Sequence, residues 1–193
     1  MPLRLTTPPA AEPLTAAEAR DHSRIDHDAE DGLLESLIRA WRQSTERATQ
    51  RALITQEWEL TLEAFPEGRE AIRLNRPPVS AVTSLTYVDP NGDEQTMDAA
   101  DYVLVEDEPA RLYPAPGKRW PRAQTENPEA VTVTFTAGYG DAEDVPETLV
   151  DAIRLGVATR HEHREDVVVG HMVSHLQAIE SIWHMYRWDV GVG

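Results

Sequence analysis

Residues 28–62 read DAEDGLLESLIRAWRQSTERATQRALITQEWELTL, and along them the spacing of the apolar residues changes. In the first part, the positions of one face advance by three or four residues, which is typical of an α-helix. These positions are Leu34, Ile38, Trp41, Thr45, Ala48 and Ala52. From Trp58 onward, apolar and polar residues alternate, which indicates a half-buried strand. The stretch therefore predicts a long helix that leads into a β-rich segment.

The predicted helix begins with acidic residues and carries arginines on its other side. Asp28, Glu30 and Asp31 lie where the positive end of the helix dipole favours negative charge. We therefore expect the helix to run from about residue 29 to about residue 50. Four arginines are expected on its other face and in its C-terminal turns: Arg39, Arg42, Arg47 and Arg51.

The residues before this helix are rich in proline. Residues 1–14 contain Pro2, Pro8, Pro9 and Pro13, which predicts an extended N-terminal arm. The following Thr-Ala-Ala-Glu has the spacing of a capping box. In that arrangement, the threonine oxygen and the glutamate each bind a free backbone amide at the start of a helix. A short helix is therefore expected to end at about residue 24.

Residues 55–140 contain short β patterns separated by turn residues. About six or seven strands are expected, enough for a small antiparallel sheet or a sandwich. The stretch DPNGD at 89–93 is a turn signal between two of them. The stretch AGYG at 137–140 lacks the lysine and the serine or threonine of a phosphate-binding loop. We interpret it as a sharp strand-to-helix turn in which glycine takes a positive φ.

Helical spacing returns at Val145-Pro146-Glu147, where a proline followed by an acid signals a helix start. One helix is expected to reach about His163. A break is expected at Val167–Gly170, and a final helix ends near Arg187.

These patterns predict an α+β fold. A helical bundle, made of the long N-terminal helix and two C-terminal helices, carries a central antiparallel β-rich insertion. The expected organisation is an extended N-terminal arm at 1–14, a helical domain at 15–54 and 145–187, a β-rich insertion at 55–140 and a C-terminal tail at 188–193.

The composition narrows the function. Among 193 residues, 34 are acidic and 18 are basic, which gives a formal net charge of −16. Such a charge repels phosphate and disfavours a specific DNA or RNA binder, although it suits a channel through which DNA slides. The chain has no cysteine and hence no thiol chemistry, and it shows no signal peptide or membrane-spanning segment. We expect a soluble, intracellular protein without a cofactor.

The histidines suggest an alternative of another class. His161 and His163 flank Glu162, and the spacing of His171 and His175 lets one helix face present both to a metal ion. A metal-dependent hydrolase that uses these four histidines is therefore one hypothesis. The chain lacks the His-Glu-x-x-His pattern, and no catalytic set stands out. We accordingly expect solvated or interfacial histidines, with no metal site, no catalytic residue and no enzyme activity.

The C-terminal aromatic residues are more informative. Trp183, Tyr186 and Trp188 lie close together, with Met185 and Arg187 between them. Aromatic residues, methionine and arginine are enriched in the cores of protein–protein interfaces. On one interpretation, Trp183 and Tyr186 complete the helical core. On the other, the end of the chain anchors a partner protein, since Trp188 lies beyond the last predicted helical turn.

Several stretches, taken together and in order, resemble the head–tail connector (adaptor) proteins of long-tailed phages and gene transfer agents. The opening consists of PLTAAEA at 13–19 and IDHDAED at 25–31, and RALITQ at 51–56 is similar to the family's helix-to-strand junction. The other matching stretches are Arg76-Pro-Pro78, Tyr87-Val-Asp89 with Gly92, Val133–Gly140, Val145-Pro146, His163-Arg-Glu165 and Tyr186-Arg187.

The resemblance implies a structural protein of a virion or particle neck that is assembled in the bacterial cytoplasm and does not bind membranes. Such an adaptor forms a homo-oligomeric ring of about twelve copies through a heterologous contact that rotation closes. It binds the portal protein above it and presents a docking face to a stopper or tail-side neck protein. DNA passes through its lumen without specific binding. The expected portal or partner interface is Trp183, Tyr186, Arg187 and Trp188.

One alternative remains within the same neck, namely a stopper or tail-completion protein. The long paired helices favour the adaptor, because those neighbours are more often dominated by β-structure.

Overall fold

The chain folds into two compact units. The computed structural model describes residues 2–162 and 171–188, with the backbone alone for 171–175. One unit comprises the residues up to Pro9 together with Thr55–Gly138, and the other comprises Ala10–Ile54 with the described residues from Tyr139 onward. Within the described residues, all strands lie in the first unit and all α-helices in the second. The predicted α+β class is therefore confirmed.

The helical unit contains four α-helices in the part that the structure describes. They are α1 (Ala16–Ser23), α2 (Asp31–Thr49), α3 (Glu147–Glu162) and α4 (His171–Tyr186). The predicted capping box is confirmed at the start of α1, where the Glu18 N–H donates to the Thr15 hydroxyl at 3.2 Å. In return, the Thr15 N–H donates to the Glu18 carboxylate at 2.8 Å. Helix α2 lies inside its predicted range, whereas the predicted break at Val167–Gly170 lies outside the described residues.

The core of the helical unit forms around α2, which packs against each of the other three helices. Leu34 and Ile38 on its apolar face are almost fully buried, as the helical spacing predicts. They pack with Leu149, Ile153 and Val157, which follow one another at intervals of four residues on one face of α3. The two helices therefore meet along matched apolar stripes, which is the arrangement that removes the most apolar surface from water.

The β-rich unit contains eight strands among the described residues. They are β1 (Leu3–Thr7), β2 (Gln56–Leu62), β3 (Ile72–Leu74), β4 (Val79–Val88), β5 (Glu94–Thr96), β6 (Tyr102–Val105), β7 (Ala110–Pro114) and β8 (Val131–Ala137). Seven of them fall within the predicted insertion. They form a five-stranded sheet in the order β1-β2-β8-β4-β5 and a three-stranded sheet in the order β3-β7-β6, with antiparallel pairing throughout.

The last predicted strand, β8, is the centre of the larger sheet. It pairs with β2 on one side and with β4 on the other, so that Phe135 lies opposite both Trp58 and Val82. Val131, Val133 and Phe135 are fully buried, while the threonines between them are half-buried. This alternation is what a strand with one face on the core requires.

Both predicted turns are confirmed. In the turn at 89–93, the Asp89 carboxylate accepts hydrogen bonds from the N–H groups of Asn91 and Asp93, and Gly92 has φ = +93°. After β8, Gly138 and Gly140 have φ values of +130° and +135°. These values lie in the region that only glycine adopts without strain, as the interpretation of this stretch as a sharp strand-to-helix turn requires.

The structure differs from the prediction at the N-terminus. Leu3–Thr7 does not form part of a separate arm, because it pairs with β2 as the edge strand β1, with Leu5 opposite Trp58. The physical reason is the placement of the prolines, which flank this five-residue segment and leave every N–H inside it able to pair. The rest of the predicted arm belongs to the helical unit, where Leu14 is buried in the core.

Candidate functional site

The C-terminal residues predicted to bind a partner lie against α2. The indole ring of Trp183 contacts the ring of Trp41, with 6.3 Å between ring centroids and 38° between planes. Its Nε1–H donates a hydrogen bond to the hydroxyl of Thr45 at 3.2 Å, and Thr45 is fully buried. Because a buried indole N–H needs a partner, this bond fixes the orientation of the half-buried ring. Trp183 therefore takes part in packing α4 onto α2.

Trp41 is held in turn by a glycine of α3. A Cβ atom added at Gly156 would lie 2.6 Å from Cε2 of Trp41, closer than real Cβ contacts allow. The indole of Trp41 thus packs directly on the α3 backbone on one side and on Trp183 on the other. The apolar spacing of α3 includes Gly156, but no single-chain pattern reveals that an indole needs this close approach.

The end of α4 is tied to the end of α2 by two hydrogen bonds. The buried guanidinium of Arg51 donates from Nε to the carbonyl of Tyr186 at 2.6 Å, where the negative end of the helix dipole favours a cation. The backbone N–H of Trp188 donates to the carbonyl of Thr49 at 3.1 Å. A carbonyl at the end of α4 is therefore satisfied by the residue that follows α2 closely, and a carbonyl at the end of α2 by a residue that follows α4.

These contacts divide the predicted interface residues into two groups. Trp183 and Tyr186 are half-buried and pack on the helical unit itself. Arg187 is exposed and Trp188 half-buried just beyond the helix, and Met185 has 69% of its surface exposed. The residues at this end of the chain that are more exposed or lie beyond the helix are hereafter called the α4 end surface (Met185, Arg187 and Trp188).

Arg42 is one of the four arginines expected on the other face of α2 and in its C-terminal turns, but it is buried. Arg42 is only 5% exposed and lies between two carboxylates. Its Nε donates to Glu12 at 2.6 Å and its Nη1 donates to Glu46 at 2.7 Å. The other carboxylate oxygen of Glu46 accepts a hydrogen bond from the N–H of Leu53 at 3.0 Å. The i, i+4 spacing of Arg42 and Glu46 could have indicated the pair, but Glu12 is distant in sequence.

The electrostatics of this network favour the charged arginine. Burial by itself lowers the pKa of the Arg42 guanidinium, but its hydrogen bond to Glu12 and the negative charges of Glu46 and Glu12 more than offset burial. The pKa of Arg42 is consequently raised above its ordinary value. Three of the five guanidinium N–H groups donate to these two carboxylates, and Glu46 also accepts from Leu53, so the network ties α2 to the segments before and after it.

The histidines do not come together as a metal site among the described residues. His161 lies 2.7 Å from the carboxylate of Glu30, with which it forms a pair. His163 lies outside the described residues, as do the side chains of His171 and His175. Within the part of the chain that the structure describes, no group of three histidine, aspartate or glutamate side chains is arranged to hold a metal ion. None of the described helices is long and apolar enough to span a membrane.

Three solved structures are similar to the chain over its whole length. The first, the neck of an empty gene transfer agent particle computed with C6 symmetry, is 33% identical with a TM-score of 0.79. The second, the virion of a native gene transfer agent particle, is 31% identical with a TM-score of 0.81. The third, the neck of a native particle computed with C12 symmetry, is 30% identical with a TM-score of 0.79. In each case, 100% of this chain and 99% of the other chain are covered. No protein-family model and no curated protein matches the chain.

Identity at this level over the full length shows the family. The chain belongs to the family of gene transfer agent neck proteins to which these structures belong. It is a structural component of the neck of a phage-like particle.

Proposed function

We propose that this protein is the head–tail adaptor of its particle. In this role it forms a closed ring of about twelve copies beneath the portal protein, passes DNA through the lumen and docks a stopper or tail-side neck protein. The observation that carries the proposal is full-length similarity to a neck computed with C12 symmetry. The alternative of a stopper or tail-completion protein shares the neck location and differs in which protein it contacts.

The charge of the chain supports passage of DNA without binding. A formal net charge of −16 repels the phosphate backbone, so a lumen lined by part of this charge would not retain the genome. A ring through which DNA passes needs weak contacts with the phosphates. Assembly of such a ring takes place in the bacterial cytoplasm, before DNA delivery.

The α4 end surface is the part of the chain that we propose for portal binding. Tyr186 and Trp183 support this surface from beneath, through their packing on the helical unit and the hydrogen bonds to Arg51 and Thr45. Met185, Arg187 and Trp188 lie at this end of the chain, where the Trp188 N–H is bound to the Thr49 carbonyl, and they are of the residue types enriched in interface cores. Preorganisation matters because a surface that is already ordered loses less entropy on binding.

The test is co-sedimentation of the protein with purified portal particles. We expect the wild-type protein to sediment with portals, and Arg187→Glu combined with Trp188→Ala to reduce binding by about tenfold or more, as loss of interface anchors does. Gln177→Ala is the matched control, because it is exposed on α4 but about 15 Å from Arg187 along the helix. Binding only to portals that already carry another neck protein would contradict the adaptor and favour the stopper.

A further inference from the structure

A basic segment stands out in the β-rich unit of this acidic chain. Residues 111–125 contain four basic residues and no acidic ones. Two of the four are paired within the unit, Arg111 with Asp107 and Lys118 with Asp101. The other two, Arg119 and Arg122, are exposed and have no hydrogen bond or ion pair within the described residues. Two arginine side chains are therefore available to bind an external acceptor.

These arginines border a groove with an aromatic floor. Trp120 is 9% exposed and stacks on Phe65, with 5.2 Å between ring centroids and 12° between planes. The indole Nε1–H of Trp120 donates to the carbonyl of Glu70 at 2.8 Å, and the edge of Tyr87 meets Phe65 at 5.5 Å. The floor is fixed from two sides, so the groove exists before any ligand arrives.

The groove has the size and chemistry of a peptide-binding site. Its volume is about 640 Å³, and prolines, small residues and the two arginines form its walls. Among the described residues, no carboxylate lines it, although the chain has 34 acidic residues. An arginine fork binds a carboxylate through two parallel hydrogen bonds, and tryptophan and arginine are the commonest anchors of protein interfaces. Complementary charge therefore selects an acidic segment as the occupant.

We infer that this groove binds an acidic segment of a second copy of this chain. A ring is built from heterologous contacts, in which one patch of each copy meets a different patch of the next. This chain supplies exposed carboxylates, such as that of Glu106 in the acidic run before Pro109. The inference rests on the proposed ring, and it names the surface through which neighbouring copies recognise each other.

Photo-crosslinking in assembled particles tests the inference. Thr125 lines the groove and is exposed, so a benzophenone amino acid at that position leaves both arginines intact. Particles assembled from an equal mixture of isotopically light and heavy protein distinguish crosslinks between copies from those within one copy. We expect mixed light–heavy crosslinks that mass spectrometry maps to an acidic segment of this chain. Crosslinks only to another protein or to DNA, or none at all, would overturn the inference.

Charge reversal provides the second arm of the test. Arg119→Glu combined with Arg122→Glu should reduce the mixed crosslink by about tenfold, because like charges across an interface repel. Arg73→Glu is the control, since it is exposed in the same unit but does not line the groove. If the protein with both arginines intact forms rings on portals but gives no mixed crosslink, this inference is contradicted and the adaptor proposal is not affected. Absence of any ring on portals would instead contradict the adaptor proposal.

Discussion

At the scale of single residues, the close approach of Trp41 to Gly156 shows where packing depends on the absence of a side chain. Helical spacing correctly predicts that both residues face the core of the helical unit, because that pattern reports which face is buried. It does not report how near two backbones come to each other. The same limit explains Arg42, whose burial depends on Glu12, a residue 30 positions away. Local patterns carry no information about such distant partners.

Gly156→Ala should destabilise the protein by about 1–3 kcal/mol, because the added methyl group overlaps the indole of Trp41. Urea denaturation measures the free energy of unfolding. Gly32→Ala is the matched control, since no atom lies within 4 Å of the added Cβ on α2. There, alanine should be neutral or stabilising by up to about 1 kcal/mol. Equal effects of the two substitutions would contradict the packing described here.

Arg42→Met should lower the free energy of unfolding by about 3 kcal/mol or more, because the partly buried carboxylates of Glu12 and Glu46 lose their common partner. Arg39 also faces Glu12, at 3.7 Å, but the Arg39 side chain is 60% exposed. Arg39→Met should therefore change the free energy of unfolding by less than about 1 kcal/mol. Thermal or urea unfolding of both variants provides the comparison, and a small effect at Arg42 would argue against the network.

The capping box of α1 predicts a dependence on pH. Hydrogen bonds from the side chain and backbone of Thr15 lower the pKa of Glu18 below its ordinary value of 4.5. The stabilisation that ionised Glu18 contributes is thus fully present above about pH 4.5. It is lost as the pH falls through the pKa of Glu18 in the folded protein. Thr15→Ala should reduce the free energy of unfolding by about 1 kcal/mol near neutral pH, and the difference should shrink in acid. Ser36→Ala, which removes a hydroxyl bonded to a carbonyl, should show no such trend.

At the scale of secondary-structure elements, most helices and strands follow from the spacing of apolar residues, whereas the pairing of the strands does not. The bounds of α2 and the alternation in β8 agree with the prediction because each depends on neighbours in sequence. The position of β8 between β2 and β4 depends on partners more than 40 residues away. Strand β1 is not predictable from local pattern for the same reason, because its partner β2 is separated from it in sequence by two helices.

The docking of α4 is the element-level feature that we expect to be sensitive to one hydrogen bond. Trp183→Phe keeps an aromatic ring against Trp41 but removes the donor to Thr45. If this substitution lowers the free energy of local opening of α4 by about 1.4 kcal/mol, the population of the open state rises about tenfold. Hydrogen exchange of the amides at 177–186 measures this opening. Met185→Leu, on an exposed side chain, should leave exchange unchanged. Equal exchange in both variants would show that Trp183 does not hold the helix.

At the scale of the whole molecule, composition and patterning predict an acidic α+β protein, and the order of short matching stretches points to a particle neck. Full-length similarity to gene transfer agent necks agrees with that resemblance. The interface residues were only partly predictable. Aromatic composition drew attention to the end of α4, but only the structure separates side chains that pack on α2 from those that remain exposed. Exposure is a property of the folded chain and not of residue type.

The most direct test of the central claim is electron cryomicroscopy of necks from particles that contain this protein. The adaptor assignment predicts a closed ring of about twelve copies in direct contact with the portal, with the α4 end surface at that contact. Density for this chain one layer further toward the tail, or a neck in which it forms no ring, would contradict the assignment.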